Sequence, residues 1–200
     1  SRGLGDVYKR QVLQNARRGH TAVDTARAAS LIQQAGISLI LQTMAGLPGD
    51  TQEIVRYTAQ RIAALKPDGV RIYPVAVLPN TPLYDDWQAG RYQPLDVETA
   101  AVWCADMLEI FEREHIPVIR VGLNPTEELD STVVAGAYHP AMGELAYGEL
   151  WYRRLCRHIQ MTGERTIAVA PRELSRAIGH KKRNLLRLRD QFGAVHIVAQ

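Results

Sequence analysis

Apolar residues recur along the chain in two alternating patterns, one typical of helices and one typical of buried strands. After Thr21, which begins a Thr-x-x-Asp capping-box pattern, apolar residues repeat at helical spacing until Gly36. The segment Ile37–Met44 is mostly apolar and predicts a strand that is buried on both faces. A second helix is predicted to begin at Asp50, and a second strand to cover Val70–Leu78. This strand–helix–strand order predicts a right-handed parallel crossover.

The two patterns continue through the middle of the chain. Residues 97–111 carry an amphipathic helical period, and Cys104 lies on its apolar face, where we expect a small core side chain. A third strand is predicted over 118–123 and a further helix over about 142–160. The polar residues between them, 124–140, are predicted to form a loop. The three tryptophans lie beside or within predicted helices, where we expect them to pack: Trp87, Trp103 and Trp151.

The last forty residues differ from the rest in charge. Residues 161–200 predict a strand, a short helix, a tight basic connection, a second helix and a strand. Eight basic and three acidic side chains give this segment a net charge of +5, whereas the whole chain carries +3, so the remainder sums to −2. Cationic charge is therefore concentrated in the tail, where it would favour a polyanionic partner.

The composition is that of a globular protein, with 46% apolar and 22% charged residues. Because no apolar run reaches the roughly 18 residues of a membrane-spanning helix and no signal-peptide pattern is present, we expect no membrane partner and a cytoplasmic protein. The two cysteines are too far apart in sequence to suggest a disulfide or metal framework. The sequence leaves the oligomeric state open.

The first eleven residues have no helical or strand period. They resemble a translated cloning junction, so we expect 1–11 to be a non-native leader and the natural protein to be longer at its N-terminus; a native loop is the alternative.

A Gly-Leu-Pro-Gly bend follows the first predicted strand, at Gly46–Gly49. Parallel α/β folds bind ligands at the carboxyl ends of their strands, so the bend lies where a ligand is expected. Glycines permit close approach, and amides at the following helix start can bind an anion or a carboxylate. Considered alone, the bend is weak evidence for a ligand, and ordinary turn chemistry is the better explanation of the same residues.

Five blocks occur in one order and spacing: RRGHT (17–21), AGLPGDT (45–51), LKPDGVRIYPVAVLPNTPL (65–83), PVIRVGLNPTEEL (117–129) and AGAYHPAMGEL (135–145). Together they closely resemble the C-terminal half of radical S-adenosylmethionine (radical SAM) proteins. The nearest group is the bacterial one related to the radical SAM domain of the Elongator catalytic subunit. The resemblance covers the chain from about Val12 to Trp151.

The resemblance implies an α/β fold, with the C-terminal part of a partial (βα) barrel over 12–123 and a loop-and-helix extension over 124–160. In the intact protein it implies S-adenosylmethionine and a 4Fe-4S cluster that together generate a 5′-deoxyadenosyl radical. The residues that would line the cofactor are Gln42, Met44, Gly46, Leu47, Pro48, Gly49, Arg71, Tyr73 and Pro74.

The family's CxxxCxxC cluster loop is absent from this sequence. We therefore expect a truncated chain with no metal site of its own, no bound cofactor and no activity. We also expect an open sheet edge that makes the isolated chain marginally stable and prone to aggregate, which a sharp, monomeric thermal melt would contradict.

The tail, 161–200, resembles a small α+β KH-like unit, in which a GxxG loop between two helices clamps nucleic-acid backbone. In this chain a lysine replaces the second glycine. The residues that would contact RNA are Gly179, His180, Lys181, Lys182, Arg183 and Arg187. A solvated basic helical hairpin is the alternative.

The predicted function is thus that of a radical SAM enzyme whose substrate is RNA, for example tRNA. One alternative is a non-catalytic RNA-binding adaptor on an α/β scaffold, and another is a radical SAM enzyme for a small molecule such as a porphyrin. His139 and Glu144 are spaced to meet at a helix start, where a capping or core role competes with substrate contact, and His20 is expected to be structural.

Overall fold

The computed structural model describes Val12, Gly19 and residues 21–200. The helices in this part of the chain are α1 (Ala22–Gln34), α2 (Gln52–Ala63), α3 (Pro82–Gln88), α4 (Val97–Arg113), α5 (Glu127–Thr132), α6 (Met142–Thr162), α7 (Leu174–Ile178) and α8 (Arg183–Phe192). The strands are β1 (Ile40–Ala45), β2 (Gly69–Pro74), β3 (Ala76–Val77), β4 (Val118–Val121), β5 (Ala135–Gly136), β6 (Thr166–Val169) and β7 (His196–Ala199). The predicted leader and His20 lie outside the described residues.

A parallel three-stranded sheet in the order β1-β2-β4 forms the centre of the α/β part. One face of this sheet packs against α2 and α4, and the shared core includes Ala45, Val70, Ile72, Leu108 and Phe111. This arrangement confirms the predicted parallel crossover and α/β class. Within the described sheet β1 is an edge strand, and the expected tendency to aggregate stays a prediction.

The first two helices begin as their sequences predict. Thr21 caps α1 in a complete capping box with Asp24, because each side chain accepts the other's backbone N–H. The hydroxyl of Thr51 accepts the amide of Ile54 and caps α2, one residue after the predicted start.

The predicted single strand Val70–Leu78 is wrong, because the chain leaves the main sheet after Pro74. The neighbouring strand β1 ends at Ala45, which is paired with Pro74. Beyond Pro74, β2 therefore has no residue of β1 with which to pair. The next residues form β3, which pairs antiparallel with β5.

The predicted loop over 124–140 is also only partly correct, since it contains α5 and β5. Thr126 caps α5 through a bond from the Leu129 amide, and acidic residues fill its first turn. A Thr followed by two glutamates is a helix-start signal that was available in the sequence.

The tail has the predicted strand–helix–helix–strand order, and β6 and β7 pair in parallel. Its small core, which includes Val169, Ala177, Leu188 and Val195, continues onto Leu155 of α6. The likeness of this unit to a KH domain stays a prediction. No helix of the described residues combines the length and apolar character needed to cross a membrane.

Candidate functional site

Four of the predicted cofactor-lining residues on β1 and β2 lie side by side on the sheet face opposite α2 and α4. The fifth, Pro74, is buried and pairs with Ala45, so it lies on the face that the helices cover. The parallel register places Gln42 beside Arg71 and Met44 beside Tyr73. Because side chains alternate along a strand, all four share this face. Gln42 is exposed and the other three are half-buried. The face therefore offers a mixed polar and apolar surface leading to the bend.

The bend Gly46–Gly49 lies at the carboxyl end of β1, and both of its glycines adopt left-handed backbone angles, with φ of 93° and 84°. Two backbone amides of the bend donate to a carboxylate of the same chain. The Asp50 carboxylate accepts the N–H of Gly46 at 3.2 Å and that of Leu47 at 3.0 Å. Two amides of the bend are therefore bonded within the chain, and the Ile54 amide at the start of the following helix is bonded by the Thr51 hydroxyl.

Tyr92 and Leu95, which no sequence motif marked as site residues, contact the bend and hold it in place. The Tyr92 hydroxyl donates to the carbonyl of Gly46 at 2.6 Å. Burial, followed by the negative charge of Asp50, raises the pKa of Tyr92 to about 12. The Leu95 side chain packs so closely that a Cβ on Gly46 would lie 2.9 Å from its Cδ1. The only sequence signal was an aromatic and an aliphatic residue in the segment 89–96, between α3 and α4, whose other residues are small or polar.

The predicted RNA-contacting residues of the tail divide into two groups. Arg183 pairs with Glu98 at 3.1 Å, His180 with Glu144 at 3.1 Å and Arg187 with Glu149 at 2.6 Å. These pairs attach the tail to α4 and α6 and line a cavity of about 370 Å³.

The second group consists of Gly179, Lys181 and Lys182, none of which forms such a pair within the described part of the chain. Gly179 is buried against Asn184, whose side chain donates to three backbone carbonyls, and a Cβ on Gly179 would lie 2.7 Å from Asn184 Cγ. Lys181 and Lys182 are exposed, with left-handed φ angles of 50° and 63°. Among the residues predicted to contact RNA, Lys181 and Lys182 are therefore the two charged side chains that are exposed and form no ion pair with another described residue.

His139 and Glu144 are not bonded to each other. His139 Nδ1 accepts the Ala141 amide at 3.0 Å, and Glu144 binds His180. Burial, with a smaller effect from His180 and Lys181, lowers the pKa of His139. The His139 bond lies just before α6, which begins at Met142 without a side-chain cap, so the expected capping role is not observed.

The described residues fit one of the two implied cofactors. No group of three or more His, Cys, Asp or Glu side chains among them could hold a metal ion. Cys104 is fully buried in the core, as predicted, and burial raises its pKa to about 12. It belongs to no group of potential metal ligands among the described residues. For S-adenosylmethionine, in contrast, the open face offers a half-buried Arg71 whose Nε is buried without a hydrogen-bond partner.

Comparisons with known proteins agree with this geometry. Residues 67–152 match the family model described as the Radical_SAM C-terminal domain. The tRNA uridine(34) acetyltransferase of Methanocaldococcus jannaschii is 35% identical over 151 residues, which are 72% of this chain and 26% of that protein. Elongator complex protein 3 of Homo sapiens is 32% identical over 94 residues, which are 46% of this chain and 17% of that protein.

A solved structure shows the same architecture. The archaeal Methanocaldococcus infernus Elp3 with an N-terminal deletion (1–46) superposes with a TM-score of 0.59 at 25% identity, covering 80% of this chain and 35% of that one. The matched domain and the shared fold define this chain as part of a radical SAM protein. Within that class it belongs to the Elongator-related group. This chain spans 26% of the length of the Methanocaldococcus jannaschii relative and 17% of the length of the human one.

Proposed function

We propose that this chain is the late-strand part of a cytoplasmic radical SAM enzyme that modifies tRNA. The observation that carries the proposal is the continuous surface formed by the open face of β1 and β2 and the bend at their carboxyl edge. The matched domain and the names of the relatives support the same class of activity. The names include tRNA modification, and we extend that substrate class to the longer protein that would contain this chain.

The chain's own residues would act by shaping one wall of the S-adenosylmethionine site. Gly46 and its neighbours would meet the cofactor through backbone whose position is maintained by Asp50, Tyr92 and Leu95. Met44 and Tyr73 would supply apolar contact, while Gln42 and Arg71 would supply polar contact. When bound elsewhere in the protein, a 4Fe-4S cluster would supply the electron that makes S-adenosylmethionine a radical source. Because the described residues do not fit the cluster, we propose that the 200-residue chain alone is inactive.

The test uses the longer protein that contains a CxxxCxxC loop, prepared without oxygen. We expect formation of 5′-deoxyadenosine, and we expect Gly46→Ala to reduce it at least about tenfold, because the added Cβ would displace Leu95 and the bend. Gly36→Ala is the matched control: Gly36 also has a left-handed φ, of 69°, but a Cβ there would meet nothing within 4 Å. Equal losses in the two variants would mean that backbone strain alone, and not the cofactor wall, explains the effect.

We further propose that the tail contacts RNA through Lys181 and Lys182. Their exposure and the net charge of +5 over residues 161–200 support electrostatic binding to phosphate. In tRNA titrations of the chain followed by fluorescence anisotropy, the double change Lys181→Gln and Lys182→Gln should weaken binding and reduce the salt slope by about two. Lys66→Gln, at an exposed lysine with the same left-handed backbone, should change neither. Binding that does not respond to salt would contradict the proposal.

An RNA-binding adaptor without catalysis would give a different pair of results. It would bind tRNA with the same salt dependence, but the longer protein would form no 5′-deoxyadenosine. A radical SAM enzyme for a small molecule would form 5′-deoxyadenosine without any competition from tRNA.

A further inference from the structure

Two arginines lie next to each other on the open face of the central sheet. The register pairs Arg71 of β2 with Arg120 of β4, on neighbouring parallel strands. The β2–β4 register shifts by one residue at Ile119. The Ile119 side chain lies over Gly69, so it is on the same sheet face as Arg71 and Arg120. Ile119 and Arg120 are both exposed. The two guanidinium groups therefore extend from adjacent positions of one surface.

This arrangement is unfavourable unless an anion is present. Like charges on directly opposed strand positions repel each other. The strands β1, β2 and β4 contain no aspartate or glutamate, so no carboxylate on the three strands compensates the pair. Among the described residues, Arg120 has Asn124 Oδ1 as a neutral acceptor, whereas Arg71 Nε is buried without any acceptor. A buried donor of a charged group without a partner is rare in folded proteins.

We propose that Arg71 and Arg120 form a binding site for an oxyanion, either a phosphate or a carboxylate, on the open face of the sheet. The guanidinium fork matches both groups through paired N–H donors. The proposal rests on the proposed function, because the oxyanion would be either a phosphate of an RNA substrate or the methionine carboxylate of S-adenosylmethionine. Arg120 was not among the residues predicted to line the cofactor, and its position adds β4 to the site.

The test titrates the 200-residue chain, at low micromolar concentration and low salt, with uridine 5′-monophosphate, uridine and methionine. The variants are Arg71→Gln and Arg120→Gln. The control is Arg113→Gln, an exposed arginine at the end of α4 whose partner is the adjacent Glu114. Circular dichroism spectra and thermal melts establish that each variant folds. Arg120→Gln keeps the proposal testable if Arg71→Gln does not fold, since Arg120 is exposed.

We expect one anion to bind the unmodified chain and each variant to weaken it about tenfold, while the control changes nothing. Binding of uridine 5′-monophosphate but not uridine would identify a phosphate site, and binding of methionine would identify a carboxylate site. The proposal is overturned if neither anion binds, or if the variants bind as well as the control.

The outcome is separable from that of the proposed function. If the longer protein forms 5′-deoxyadenosine while the arginine variants bind anions normally, only the two-arginine site is lost. If no 5′-deoxyadenosine forms but the variants lose anion binding, the site stands and the radical SAM activity does not.

Discussion

Removal of Arg153 tests how α4 and α6 are held together beneath the candidate site. The Asp106 carboxylate is only 5% exposed, and each of its oxygens has a partner. Arg153 Nη1 donates to Oδ1 at 2.6 Å, and Gln52 Nε2 donates to Oδ2 at 2.7 Å. Arg153 Nη2 also donates to the carbonyl of Val102 at 3.2 Å. Because Gln52 lies in the first turn of α2, this network connects the helix after the bend to both α4 and α6.

Arg153→Met retains most of the apolar stem but leaves the buried carboxylate with Gln52 alone. Breaking a fully buried ion pair costs about 3–5 kcal/mol. The Arg153 side chain is 24% exposed, so water can replace part of its contribution, and we expect a loss of about 2–3 kcal/mol in the free energy of unfolding. The assay is urea unfolding followed by circular dichroism, with wild type and variant fitted to the same slope.

Arg157→Met is the matched control. Arg157 lies one turn farther along α6 and bonds Glu109 of α4 at 2.8 Å, but the two side chains are 58% and 39% exposed. We expect this change to cost less than about 1 kcal/mol. Equal losses in the two variants would refute the reasoning that burial of Asp106 sets the magnitude. Adding Asp106→Leu to Arg153→Met should recover stability, since no buried charge then remains.

Three further results are expected. In the folded chain a thiol reagent should modify the partly exposed Cys156 but not the buried Cys104, and both should react in urea; rapid double labelling without denaturant would contradict the fold. Because the pKa of His139 is lowered on folding, the unfolded chain takes up its proton first, so stability should fall as the pH decreases below about 6.5; His139→Gln should flatten this region of a denaturation profile. Tyr92→Phe should lower the free energy of urea unfolding by about 1–2 kcal/mol, because the carbonyl of Gly46 loses its buried donor; an unchanged midpoint would mean that water replaces the hydroxyl.

Local sequence signals predicted the central elements well. Capping residues such as Thr21, and the apolar period of 97–111, operate between residues one turn apart, so their physical causes are visible in the sequence itself. The same holds for the alternation that places Gln42 and Met44 on one face. The break after Pro74 was missed because it depends on where the neighbouring strand ends, which is a property of two distant segments.

The chemistry of the site depended more on contacts between distant segments. From the sequence alone we obtained the position of the bend at a strand end, the concentration of cations in the tail and the resemblance to radical SAM proteins. Only the tertiary structure decided that Tyr92, 46 positions from Gly46, holds the bend, and that Glu98 and Glu149 neutralise tail arginines while Lys181 and Lys182 stay exposed. The physical reason is that composition determines how much charge a segment carries, whereas packing determines which charges find a partner and which remain available to a ligand.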